Sequence, residues 1–100
     1  MDVTPVSEWK TTKLNENHEV SQIPYEHANV RLLKFRAGYR IPKHFHQSQA
    51  LHVILKGSLK TETGETLAAT VAYKCGGFEY MGDTLEDTEI MVIEPHDNKG

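Results

Sequence analysis

The chain has 100 residues, 38% of them hydrophobic and 25% charged, a composition that suits one folded domain and argues against intrinsic disorder. Eleven Lys+Arg against fourteen Asp+Glu leave a net charge of −3 without a basic cluster, so nucleic acid is not an expected partner. The one cysteine allows no internal disulfide, residues 1–9 hold no apolar signal core and no run approaches a membrane span, so we expect a cytoplasmic protein with no membrane partner.

Residues 1–14 read as an N-terminal arm or strand. Val3, Val6 and Trp9 are three apart, as in one helical turn, but Pro5, Thr11 and Thr12 favour an extended arm leading to a strand from about Glu8 to Leu14. Trp9 is expected to pack on the core as a lid. Asn15-Glu16-Asn17 carries turn residues, and a short strand from Glu19 to Ile23 follows, interrupted by Pro24. From Asn29 to Ala37, Val30, Leu32, Leu33 and Phe35 put apolar groups on both faces, which marks a central or covered strand.

The stretch from Gly38 to Gly57 contains His44, His46 and His52. Pro42 holds Ile41 extended and is tolerated at a strand start, so His44-Phe45-His46 reads as strand. Side chains at i and i+2 of a strand leave the same face roughly 6.5–7 Å apart, and two imidazoles at that spacing can meet one ion. Imidazole suits Zn, Cu, Fe and Ni. The alternative is a pair of surface histidines on a polar face. In a strand over Ala50 to Lys60, Leu51, Val53 and Leu55 share one face and Ala50, His52 and Ile54 the other. If the histidine face looks inward, the leucine face needs a cover, either a second copy in a homodimer, which we favour, or the N-terminal arm.

Glu62-Thr63-Gly64-Glu65 predicts a tight hairpin. A strand over Thr66 to Lys74 should end in a turn at Cys75-Gly76-Gly77, followed by a short strand from Phe78 to Met81. Gly82 to Thr88 reads as a solvated acidic turn, Ile90 to Ile93 as the last strand and residues 95–100 as a frayed tail. His18 and His96 sit in polar turn or terminal surroundings where no chemistry is expected.

Gly38, five residues, His44-x-His46 and then Gly57 resembles the first motif of the cupin superfamily, which is glycine, five residues, His-x-His, three or four residues, glutamate, six residues, glycine. The resemblance covers about residues 30–93 by pattern and is specific over 38–57. It implies an all-β fold, a single-domain antiparallel jelly-roll β-barrel over residues 1–100, with an interior site that typically holds a divalent transition metal (Zn, Fe, Mn, Ni or Cu). It carries His44 and His46 over as ligands.

Two positions depart from the pattern. Ala50, or Leu51 at the other spacing, replaces the glutamate. No proline lies between Lys43 and Glu94 and no histidine between Val53 and Pro95, where the second motif would supply its Pro-x-Gly turn and histidine. His52, Cys75 or, given a bulge, Gln49 are the residues able to substitute. Their alternative roles are a hydrogen-bonded cavity histidine, a small buried thiol and a solvated loop amide.

Tyr39, Tyr73, Tyr80 and Glu79 are candidate acids or bases. Nucleophile-elbow, phosphate-loop, CxxC and His-Glu-x-x-His motifs are absent. Three readings follow: a metal-dependent oxygenase, isomerase or lyase acting on a small organic molecule; a small-molecule binding or sensing module; and a fold in which the histidines are structural hydrogen-bonders.

Overall fold

The structure, a computed structural model, describes residues 1, 3–45, 50–61, 64–75 and 79–95; for residues 6, 42–45, 74, 75 and 79–81 it describes the backbone alone. A 3-10 turn at Val6–Glu8 precedes ten strands: β1 (Lys10–Asn15), β2 (His18–Ile23), β3 (Ala28–Phe35), β4 (Arg40–Phe45), β5 (Ala50–Lys56), β6 (Ser58–Thr61), β7 (Thr66–Ala68), β8 (Ala72–Cys75), β9 (Glu79–Thr84) and β10 (Thr88–Pro95). They form a six-stranded sheet in the order β1-β2-β3-β10-β5-β8 and a four-stranded sheet in the order β4-β9-β6-β7. Every described pairing is antiparallel, and after β3 the chain passes repeatedly between the sheets, which is jelly-roll connectivity. Among the described residues the ladders do not join the two sheets into one closed barrel.

The sheets share one core. Ile41 and Leu59 from the smaller sheet meet Phe35, Ala50, Ile54, Ile90 and Val92 from the larger one, with Leu33, Tyr39, Leu67 and Tyr73 packed around them. β3 is central, between β2 and β10, as its two apolar faces require. Among the described residues, no helix is long and apolar enough to cross a membrane.

Several boundaries differ from the sequence expectations. The strand expected over Ala50 to Lys60 breaks at Gly57, whose φ of +89° lets the chain leave one sheet for the other. The Thr88 hydroxyl stitches this crossing, accepting from the Ser58 N–H at 3.2 Å and lying 3.1 Å from the Ser58 carbonyl. The strand expected over Thr66 to Lys74 also splits, at a turn where Thr70 takes a φ of 73° and donates its N–H to the Ile54 carbonyl. Neither glycine nor proline marks that turn.

β9 extends through Gly82 and Thr84, which the sequence reading assigned to the acidic turn, because Gly82 is paired on both sides, with Ile41 and Thr61. The carboxylates of this stretch are bonded to the rest of the chain: Asp83 on β9 pairs with Arg40, and in the shortened turn Glu86 accepts from the Ser58 hydroxyl and Asp87 accepts from the Ala37 N–H. β10 runs past the predicted Ile90–Ile93 at both ends because its register with β3 extends from Thr88 to Pro95.

At the N-terminus, the expected extended arm contains the 3-10 turn, closed by the Glu8 N–H on the Pro5 carbonyl. Trp9 is half-buried and donates its indole N–H to the Thr4 carbonyl at 3.2 Å. The β6–β7 hairpin forms as predicted, with Gly64 at φ +93° and the Thr61 N–H on the Glu65 carbonyl; Glu62 and Thr63 lie outside the described residues. The expected turn at Gly76-Gly77, the start of the strand at Phe78 and the tail from His96 also lie outside them.

Gly57 and Gly64 share a left-handed backbone but differ in their surroundings. A Cβ at Gly57 would collide with the Asp87 carbonyl and the Thr88 backbone, whereas one at Gly64 would meet nothing within 4 Å. Gly57→Ala should therefore cost about 2–5 kcal/mol, from left-handed strain plus overpacking, and Gly64→Ala about 1–2 kcal/mol from strain alone, measured by urea denaturation.

Candidate functional site

The site is built from β5, held between β10 and β8. Its register sets Ile54 opposite Ile90, His52 opposite Val92 and Tyr73, and Ala50 opposite Cys75. Residues directly opposite one another in a ladder lie on the same face. Ala50, His52 and Ile54 therefore occupy the core face, where His52 is only 4% exposed, while Leu51 and Leu55 are exposed. This is the face division read from the alternation. The His52 ring lies against Tyr73, with ring centroids 4.9 Å apart and planes at 19°, so the imidazole has a fixed aromatic wall.

On the facing sheet, β4 carries a bulge. From Ile41 to His44 the chain takes three steps while its partner takes two, from Gly82 to Tyr80. Unbulged alternation would put Ile41 and His44 on opposite faces. The extra residue returns His44 to the row of Ile41, which is buried in the core.

β4 runs towards the end of the sandwich where β5 begins, so His44, Tyr80, Ala50 and Cys75 stand at one end by register, with His52 one rung inside. His46 and Gln49 lie outside the described residues. Among the described residues, no three His, Cys, Asp or Glu side chains form a group able to hold an ion.

Of the acid–base candidates, Tyr73 flanks His52, while Glu79 and Tyr80 are paired with Phe45 and His44. Tyr39 belongs to the opposite end. It stacks on Phe35 with centroids 5.4 Å apart, and its N–H and carbonyl both engage Thr84.

Two further polar residues reach the core. Arg31 lies on the core face of β3, two residues from Leu33 and four from Phe35, and its register partner is Val92, which also pairs with His52. Its Nη2 donates to the Glu94 carboxylate at 3.1 Å, and its Nε is buried without a hydrogen-bond partner. Alternation counted back from Phe35 would have found it, once the core face of β3 was known.

The second is His18, expected in a polar turn. It stacks on Phe35 with centroids 4.3 Å apart, its Nε2 is buried without a hydrogen-bond partner, and desolvation pushes its pKa below the ordinary histidine value. It borders a groove of about 300 Å³ at the end away from His44, lined also by Phe35, Arg36, Asp87 and Thr88.

No protein-family model matches the chain, and neither does any curated protein. Solved structures do. An RmlC-like cupin from Shewanella frigidimarina superposes with a TM-score of 0.83 at 7% identity, over 96% of this chain and 91% of that one. KdgF from a Halomonas species superposes with a TM-score of 0.75 at 15% identity, over 92% and 93%. The structure of Rhodobacter sphaeroides SigE in complex with the anti-sigma ChrR gives a TM-score of 0.77 at 19% identity over 90% of this chain, which spans about half, 51%, of that chain.

The lowered pKa of His18 makes a signed prediction. The unfolded chain takes up a proton near the ordinary value of 6.5 and the folded chain only at lower pH, so stability falls as pH drops from that value towards the lowered one. Subtracting the urea-unfolding profile of His18→Phe from that of the wild type between pH 5 and 7 should isolate this loss, since the other histidines are common to both.

Proposed function

The chain has the cupin fold, and on that premise we propose that it binds one divalent transition metal between His44 on β4 and His52 on β5, with His46 and Cys75 as further donors. The carrying observation is that His52, buried on the core face of one sheet, is matched on the facing sheet by a bulge that sets His44 in the row of Ile41. When bound, such an ion polarises an oxygen of a small organic molecule, as an oxygenase, isomerase or lyase requires. The chain's own contributions are orientation and dryness: Tyr73 holds the His52 ring, and Val92 and Ile54 keep water from that wall. Glu79 and Tyr80 stand on β9 as candidate proton carriers.

A second reading, a small-molecule binding or sensing module without turnover, is favoured by Ala50. It stands where the motif glutamate would be, is buried at 2% exposure, and offers no donor. In either reading we place the protein in the cytoplasm as a homodimer. Ile23, Val30, Ile93, Leu51, Val53 and Met91 form a continuous apolar patch on the outer face of the larger sheet, with Leu51 and Ile93 exposed, and a second copy would cover it.

Elemental analysis and calorimetric titration of the purified chain with Zn and Ni test the first reading. About one equivalent should bind, and His44→Ala and His52→Ala should each weaken binding by more than the roughly 10–100-fold typical of changes in residues that only support a ligand. Unchanged affinity in both variants would remove the metal from this site, and small-molecule binding by metal-free protein would then favour the second reading.

A further inference from the structure

Arg31 is a charged group in the wall of an apolar core. It follows Phe35 and Leu33 along the same face of β3, and one strand step from it is Val92, 1% exposed and without a polar side-chain atom. The next step reaches His52, so Arg31 and His52 stand on one rung, roughly 10 Å apart at two strand spacings. Glu94, diagonal to Arg31, accepts one guanidinium N–H at 3.1 Å; both side chains are partly buried, at 32% and 22% exposure. The Nε donor is buried without a partner, although a charged donor removed from water ordinarily acquires one.

A planar guanidinium with donors to spare matches a planar carboxylate, and Glu94 already offsets part of its charge, which favours a monoanion over a dianion such as phosphate. We propose that Arg31 is a carboxylate anchor, so that its ligand is a small organic acid whose carboxylate lies at the partly exposed guanidinium, while Val92 and His52 stay closed off behind it. The anchor does not rest on the metal reading of His52.

The test uses the full chain freed of metal, with acetate, benzoate and inorganic phosphate as probes, followed by NMR of the Arg31 Nε–H and the backbone amides. Acetate and benzoate should shift the Arg31 Nε–H saturably, and phosphate should not. Arg31→Gln should weaken benzoate binding at least tenfold, and Arg31→Lys, which keeps the charge without the planar fork, should restore only part of it. Folding of each variant is checked from unchanged signals of Ile90 and Thr88. Should Arg31→Gln fail to fold, the wild-type Nε–H titration and Arg31→Lys decide.

Benzoate binding that is unaltered in Arg31→Lys, an unmoved Nε–H, or equal shifts by phosphate would overturn the anchor and leave Arg31–Glu94 a structural pair. Because the protein is metal-free, an absent metal site and an absent carboxylate site give separate results.

Discussion

A slip of one residue in a pleated strand exchanges its two faces, so the ladder that holds β5 between β10 and β8 decides whether His52 is inside the fold or in water. The pairs Ile54–Ile90 and His52–Val92 on one side, and His52–Tyr73 and Ala50–Cys75 on the other, allow one register. The slipped register would bury Leu51, Val53 and Leu55 and expel His52. It would also strand Ile54, now wholly buried, in solvent. The core packing that stabilises the sandwich and the inward placement of the histidine are therefore one constraint. Gly57 completes it by letting the chain change sheets where any side chain would strike Asp87 and Thr88.

The facing sheet meets this constraint by a different device. β4 must bury Ile41 and also bring His44 to the same face, and three residue steps cannot do both in a regular strand. The bulge resolves the conflict locally, at the cost of one irregular pairing. Bulges gather where a side chain has to be re-aimed, and this one falls on the strand carrying the histidine motif. Along the larger sheet, the row from Tyr73 through His52 and Val92 to Arg31 places an aromatic ring, an imidazole, an apolar floor and a guanidinium on one inner rung.

The alternation of Ala50 to Lys56 was legible in the sequence because period-two burial is what a half-buried strand imposes. The turn at Gly64 was legible because left-handed backbone favours glycine, whereas the alternation carried the expected strand past Gly57 to Lys60. The break at Ala69-Thr70 was not, since a threonine there takes a left-handed φ that only tertiary pairing with Ile54 sustains. The extent of β9 was hidden because Gly82 and Asp83 look like turn residues until both neighbouring strands are in place. Arg31 and His18 were missed for a common reason. Each is polar by type, but lies on a strand whose inner face is defined only by its partners, and each is drawn against the core by the apolar residues beside it.

In the proposed metal site His52 and His44 face one another across the same end of the sandwich, and paramagnetic broadening by Mn(II) tests that directly. Substoichiometric Mn(II) should broaden the backbone amide signals of Ala50, His52 and Tyr73 selectively, leaving those of His18, Lys56 and Asp87 at the far end sharp. Broadening centred on the His18 end, or spread over the acidic surface, would contradict it.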